Sequence, residues 1–301
     1  MIESGSSVVG VDPASWGLPP GTAFRLDLPA PDLRPFITDY HIQDSDEAVH
    51  AGTVTYPLPA WPVIRIILAT EAISLQLGPR RYVLPVASLY GTTTRSMAVT
   101  SYGGVTIGIG ISPLGWSRLF SVSADKVRDQ VVPLDTMMPA AAVHALVETL
   151  RTADLVKDLG PILNDFLRDR LSPPGPHEEV IVGLTHLIND DKTEDIASAT
   201  RQLGVEANAL RRIAIRYFGF PPKVLLVRAR FVRSLVRMML GDCITDYSKI
   251  APTYFDRSHF LRDARRFLGT TPRRYLMRHN AYMFANLRAR RDVIRAAKAA
   301  T

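Results

Sequence analysis

The sequence predicts an α+β chain of two domains: a β-rich barrel or sandwich with trailing helices, then an all-α unit in which two helix-turn-helix motifs are joined by a long helix. Three observations carry this. Apolar residues come in short runs up to about residue 135 and recur at helical spacing from Ala140 on. Ser172-Pro173-Pro174-Gly175-Pro176 breaks all regular structure, as a semi-rigid spacer does. Positive charge collects behind that break: residues 177–301 hold 23 Lys and Arg against 12 Asp and Glu, a net +11, whereas the rest of the chain holds 13 against 17, a net −4. The expected divisions are a flexible tail over 1–21, a β-rich sensory or dimerisation domain with trailing helices over 22–171, a Pro-rich linker over 172–177 and a DNA-binding-type helical domain over 178–301.

Each element has its own signal. The start, MIESGSSVVGVDPASWGLPPG, lacks a basic stretch followed by an apolar one, so no signal peptide is expected there. Val63–Leu68, Ile73–Leu77 and Val105–Ile111 are strand-like runs separated by Gly and Pro turns such as Gly78-Pro79 and Gly103-Gly104. In Val105–Ile111 glycines alternate with branched residues, the pattern of a strand whose second face is closely approached. Val143, Leu146, Val147 and Leu150 form one helical stripe; Leu159, Ile162, Leu163, Phe166 and Leu167 form another. These stripes suit either a dimer contact or packing on the β-rich domain.

Behind the linker, Thr193-Glu194-Asp195 opens a helix, Gly204 marks a turn, and a second helix runs from Glu206 to Tyr217 with Leu210, Ile213, Ala214 and Tyr217–Phe218 on its apolar side and Gly219 as its stop. Pro222–Leu240 is a long helix with Leu225, Leu226, Ala229, Val232, Leu235, Val236 and Met239 spaced to bury one side; Gly241-Asp242 ends it. Then comes Thr253–Tyr275, TYFDRSHFLRDARRFLGTTPRRY. Asp256 is placed to cap a helix whose apolar side is Phe260, Ala264, Phe267 and Leu268 and whose other side carries Arg257, Ser258, Arg262, Arg265 and Arg266. Gly269 ends it and Pro272 prevents its resumption. One buried face and one guanidinium-rich face suit a DNA major groove.

Tyr254, Asp256, Ser258, His259, Phe260, Arg262, Gly269, Thr271, Pro272 and Tyr275 resemble, in order, the second helix-turn-helix of the AraC/XylS family of transcription regulators. Gly204 to Arg212 with Gly219-Phe220-Pro221-Pro222 resembles the family's first motif. Pro31–Phe36, Leu58–Trp61, the segment from Gly91, Ile109–Trp116 and Asp129–Leu134 are similar to the N-terminal domain of one subgroup, so the resemblance extends over most of the chain. It implies two recognition helices roughly one DNA turn apart, ~34 Å, fixed by the long helix between them. The sequence departs from the pattern at Thr253, where glycine is usual, at Pro252 before it, at Lys249 in a small-residue position, at Ala264 and Ala214 in aromatic positions and at Glu206 in a Ser/Thr cap position. These departures predict a reshaped turn in the second motif and a more weakly anchored helix in the first.

The resemblance assigns Asn208, Arg211 and Arg212 in the first recognition helix, and Ser258, His259 and Arg262 in the second, to base reading. Arg257 and Arg266 belong with Arg265, Arg273 and Arg274 as contacts to backbone phosphate or to solvent. His259 also suits a structural place beside Phe260. Double-stranded DNA is the expected partner; a small-molecule effector, a second copy of the chain and RNA polymerase are candidate partners. Trp61, Arg65, Tyr90, Arg95 and Tyr102 could supply the aromatic walls and anion anchor of an effector pocket.

No catalytic constellation competes. The seven histidines are scattered, His41 and His50 make no metal set, and there is neither a Gly-x-Ser-x-Gly nor a phosphate loop. The single cysteine, Cys243, excludes an internal disulfide and reads as a structural thiol. No cofactor and no metal is expected, nor a membrane span, and the chain is expected to be cytoplasmic and not an enzyme. Two other readings stay open at this stage: a β-barrel enzyme or ligand-binding protein with nonspecific nucleic-acid affinity, and a degenerate regulator acting through protein partners.

Overall fold

A computed structural model of the chain describes residues 1–190, 195–241, 246–278 and 281–299. Thr193, Glu194, Asp242 and Cys243, and the side chain of Lys249, lie outside what is described.

The β-rich half is two antiparallel sheets. The six-stranded one has the order β1 (Thr22–Asp27), β2 (Ile37–Ser45), β9 (Gly104–Ile111), β4 (Val63–Ile67), β7 (Ala87–Tyr90), β10 (Val131–Pro133). The four-stranded one has the order β3 (Thr53–Thr55), β8 (Ala98–Ser101), β5 (Ser74–Leu77), β6 (Arg80–Val83). Because side chains alternate along a strand, the register sorts the larger sheet into two unlike faces. On one, Tyr40, Ile42, Ile64, Ile66, Leu89, Ile107 and Ile109 are buried. On the other, Tyr40's neighbours Asp39 and His41 lie opposite Gly110 and Gly108 of β9, and Gly108 in turn lies opposite Arg65 of β4.

The apolar face is covered by α3 (Ala140–Thr152) and α4 (Leu159–Arg168), whose stripes Val143, Leu146, Val147, Leu150, Leu159, Leu163, Phe166 and Leu167 join its core. The two stripes are therefore consumed inside the chain, which decides between the two uses the sequence left open. Asn164 in α4 fastens the contact, its Oδ1 accepting from the Tyr40 hydroxyl at 2.9 Å and from Ala30 N at 3.1 Å.

The helical half begins with α5 (Glu178–Asn189) and α6 (Ile196–Leu203), which Asp195 caps by accepting from Ser198 N. Gly204, at φ 61°, turns the chain into α7 (Ala207–Phe218). The long α8 (Pro222–Leu240) follows, then α9 (Arg257–Leu268), α10 (Pro272–Leu276) and α11 (Ala281–Ala299). The buried side of α8 is not quite the expected stripe. Arg228, Phe231, Ser234 and Met238 are buried with Leu225, Leu226, Leu235 and Met239, whereas Ala229, Val232 and Val236 are half-buried. An arginine and a serine do not register in an apolar pattern, so the rotation of the helix was not visible in it.

The N-terminal 21 residues, expected to be a flexible tail, are a packed strap. Gly5 bridges Arg25 beside β1, Ile2 N donates to Asp44, and Trp16 is fully buried with Phe24 and Leu26 of β1 and Ala285, Ala289 and Val293 of α11. Arg288 of α11 donates to Trp16 O at 2.6 Å. The sequence did not announce this because the strap has almost no regular structure; its fixed points are one indole and a few backbone groups. Trp16→Ala is expected to lower the free energy of unfolding by about 3–5 kcal/mol, read from urea denaturation, where truncation of an exposed tail would leave it unchanged.

Candidate nucleic-acid interface and interdomain cavity

In the first motif Leu210, Ile213, Ala214 and Phe218 of α7 face a core shared with α5 and α8, and Asn208, Arg211 and Arg212 are exposed on the opposite side. Among the described residues none of these three polar side chains has a protein partner. Glu206 stands at the N-cap without a side-chain hydrogen bond, so the start of α7 is capped less firmly than that of α9. Gly219 ends the helix at φ 85°.

In the second motif Asp256 accepts from His259 N at 2.6 Å and Gly269 ends α9 at φ 68°. Phe260, Ala264, Phe267 and Leu268 are buried; Arg257, Ser258, Arg262, Arg265 and Arg266 are exposed. Two of these cations lean on aromatic faces: Arg257 lies 3.9 Å over Tyr247 and Arg266 lies 5.1 Å over Phe267. His259 is placed differently from its neighbours. It is half-buried, its ring meets Tyr254 edge-on at 5.1 Å, and Nε2 is 3.2 Å from an Arg230 nitrogen of α8. Its imidazole bridges α8 and α9 through Arg230 and Tyr254.

The helix expected before the turn is, over the described residues, a single 3-10 turn, Tyr247–Lys249, capped by Asp246. Pro252 and Thr253 form the following turn without a positive φ, which is how a β-branched residue fits where glycine is usual. Side chains from α8 pack against this segment. Buried Ser234 accepts from Ala251 N at 2.9 Å, and the Tyr254 hydroxyl donates to Asp263 at 2.9 Å beneath Arg230. Phe231 stacks on Phe267 at 5.3 Å and tilts on Phe260 at 5.5 Å, filling the space beside the small Ala264.

The second site is a cavity of about 810 Å³ lined by the two sheets and by α8 and α11. Its floor is the polar face of the large sheet. A Cβ on Gly108 would stand 2.1 Å from His41 Nε2, and one on Gly110 would stand 2.8 Å from an Asp39 oxygen; the glycine alternation in β9 makes room for these side chains. His41 Nδ1 is 2.7 Å from Asp39 Oδ1, and Arg290 of α11 grips the same carboxylate with both terminal nitrogens at 2.8 and 3.1 Å. Burial would raise the Asp39 pKa, but Arg290 and His41 outweigh it and hold the carboxyl well below its usual range. Burial pushes the His41 imidazole down to about 4, against the pull of Asp39 and with the help of Arg290 and Arg65. The ring is therefore neutral near pH 7, with Nδ1–H donating to Asp39.

Arg65 also lines the cavity, half-buried, 5.4 Å from the Tyr90 ring centre. Among the described residues no carboxylate or hydrogen-bond acceptor engages its guanidinium. Trp61 and Tyr90 line the cavity too, whereas Arg95 and Tyr102 are exposed elsewhere. Asp39, His41 and Arg290 were missed from sequence; the glycines opposite them were the available signal. Among the described residues no cluster of three or more His, Cys, Asp and Glu could hold a metal, and no helix is long and apolar enough to cross a membrane.

No protein-family model matches the chain, and no curated protein does. Its architecture is similar to that of ToxT from Vibrio cholerae O395, with a TM-score of 0.43 and 12% identity over 75% of this chain and 93% of that one. ToxT bound to (E)-4-(8-methylnaphthalen-1-yl)but-3-enoic acid gives 0.45 and 13% over 78% and 96%. The AraC-like transcriptional activator CuxR gives 0.23 and 12% over 76% and 91%. At these values the likeness is one of overall architecture, and no functional conclusion rests on it.

The buried His41 sets a pH dependence. Its folded pKa lies below the ordinary 6.5, so the unfolded chain takes up the proton first, and stability present above pH 6.5 is lost as pH falls toward 4. The loss is expected to approach about 3 kcal/mol across that window, and His41→Gln should flatten it. Asp39 makes its own loss only below pH 4, outside the window. Urea denaturation at pH 7.5, 5.5 and 4.5 measures the slope.

Proposed function

We propose that this chain is a sequence-specific, DNA-binding transcription regulator of AraC/XylS type, with residues 178–301 as the DNA-binding unit and 22–171 as an effector-sensing unit. The observation that carries the reading is the paired design of α7 and α9. Each buries one face in its own core, each presents exposed Arg and Asn or Ser on the other, and α8 joins the two cores as one rigid element. Asn208, Arg211, Arg212, Ser258 and Arg262 read bases in successive major grooves. Arg257 and Arg266, stacked on aromatic faces and still exposed, hold phosphates. The net +11 of this half supplies the counterion-release term common to all DNA sequences.

Selection of bound genomic fragments by the full-length protein tests the reading. Recovery of one motif with two sub-sites about one turn apart supports it, and featureless recovery sinks it. On the recovered site, Arg262→Ala should cost about 1–3 kcal/mol and relax preference at one position. Arg266→Ala should weaken target and random DNA alike and lower the salt slope by about one. Equal losses for both variants on both DNAs would contradict the assignment.

The cavity takes the effector, and its charges select an anion. Asp39 and Arg290 neutralise each other and His41 is neutral, which leaves two cations lining the space with no carboxylate partner among the described residues: Arg65 on the sheet and Arg278, 4.2 Å over the Tyr56 ring. Ile67, Ile73, Met97, Val99, Val232 and Leu276 line the remainder, so a small amphipathic monoanion fits it best. Titration calorimetry with decanoate and with decanol separates charge from apolar bulk. Decanoate should bind at least tenfold more tightly, Arg65→Met should lower that preference, and Arg65→Met with Arg278→Met should remove it; equal binding of both probes, or an unchanged preference in Arg65→Met, counts against an anion anchor at Arg65.

A further inference from the structure

Phe255 is the most exposed of the large apolar side chains among the described residues, at 94%. It sits directly before the cap of α9, where an apolar residue ordinarily folds back onto the fourth helical position and fixes the approach of the chain. That fourth position is Phe260, which is fully buried. Its partner is Tyr254, edge-on at 5.3 Å and anchored through its hydroxyl to Asp263. Tyr254 thus occupies the place the residue before the cap would take, and Phe255 is left outside. The first motif shows the ordinary arrangement: Val205, directly before the cap of α7, is half-buried against the core that holds Leu210. The second motif differs by turning a full aromatic ring outward at the end of the helix that reads DNA.

The surroundings of that ring are cationic. Arg257 and Arg262 are exposed on the same end of α9, and the chain carries no exposed carboxylate between Asp256 and Gly269: Asp263 is buried and Asp256 is engaged as the cap. A protein-docking patch needs a broad neighbouring apolar surface, and here the flanking exposed residues are Pro252, the capping Asp256, Arg257 and Ser258, with Arg262 further along the helix. A polyanion with an apolar feature in reach is the complementary occupant. In the major groove that feature is the thymine 5-methyl group, which phenylalanine contacts directly, and the N-terminal residues of a recognition helix are the ones that meet base edges.

We infer that Phe255 is a base-reading residue of the second motif, selecting a thymine by contact with its methyl group beside the position read by Arg262. The inference rests on the proposed DNA-binding function and adds to it a hydrophobic specificity element outside the helix proper. It also gives the exposed ring a reason to be retained in an otherwise basic surface.

The test uses the full-length protein and the site recovered by selection from genomic DNA. Each thymine is replaced in turn by deoxyuridine, which removes only the methyl, and binding is measured for wild type, Phe255→Ala and Phe255→Leu at two salt concentrations. One thymine in the sub-site read by α9 should cost the wild type about 3- to 10-fold when its methyl is removed. The same replacement should cost Phe255→Ala nothing, and that variant should lose a similar factor on the unmodified site with its salt slope unchanged. Phe255→Leu should keep most of the affinity and of the methyl sensitivity. Because the side chain is exposed, thermal melting should be the same for all three proteins. Specific binding that is insensitive to every thymine methyl, or a Phe255→Ala loss equal on target and random DNA, overturns this inference alone. A variant that binds DNA normally but alters transcription would place the ring on a protein partner and overturn it as well. Failure to recover any site would overturn the DNA-reading function beneath it.

Discussion

The bidentate pair between Asp39 and Arg290 is the constraint on which the arrangement of the two halves depends. A carboxylate on the inner face of a sheet cannot stay ionised and buried without a partner, and no cation on β2 itself reaches it. The partner comes from the last helix of the other half, 251 residues along the chain. Removing Arg290 would strand the buried Asp39 carboxylate at a cost of ~3–5 kcal/mol, so α11 is held against β1 and β2 by electrostatics as well as by packing. Once α11 is there, Ala285, Ala289 and Val293 meet Phe24 and Leu26, Trp16 fills the remaining gap, and Tyr282 and Asn286 line the cavity. The N-terminal strap, one wall of the cavity and the docking of the helical half follow from one ion pair.

A second connection makes the docking rigid. The loop between β3 and β4 carries Leu58 into the core around α9 and Trp61 against the core around α7, 5.9 Å from Phe218. Arg228 of α8 is buried beneath Trp61 at 4.2 Å and donates to the carbonyls of Ala60 and Thr93. Burial lowers its pKa to about 10, so it remains charged at neutral pH, satisfied by carbonyl dipoles and an aromatic face. Ser96 N donates to Phe267 O and the Tyr275 hydroxyl to Tyr56 O. The same loop that lines the cavity is thus a structural part of both helical cores.

Much of this was legible in the sequence, and the limits were physical. Capping residues and helix stops act locally, so Asp195, Asp256, Gly204, Gly219 and Gly269 could be placed from residue type alone, and α8 was found at its observed bounds. The glycines of β9 announced a close approach to that strand, though not what approached. What stayed hidden were polar groups whose partners are distant in sequence. Asp39, His41 and Arg228 look like ordinary surface residues until a fold brings Arg290, Gly108 or Trp61 to them. The strap at residues 1–21 was misread for the same reason, since its order comes from a neighbour at the far end of the chain. Thr253 and Pro252 were read correctly as disturbing the turn, but the compensation by Ser234, Arg230 and Phe231 is written in the preceding helix.

That compensation decides how a molecule in the cavity could act on the helical half. Val232 and Val236 of α8 line the cavity; Phe231 and Leu235, the residues directly before them, hold the core under α9; Leu225 and Leu226 hold the core under α7. A helix hydrogen-bonded along its length moves as a body, and its packed side chains resist sliding by less than a rotamer step. In the second motif α9 packs on α8 through Phe231 against Phe260 and Phe267 and through the Arg230 contact with Asp263, while Ser234 holds Ala251 in the segment before it. A displacement of α8 from the cavity side would therefore carry α9 with it. α7 is steadied by α5 and α6 as well. α7 and α9 are consequently unequal: one is braced on several sides, and the other is steered by the helix that forms part of the cavity wall.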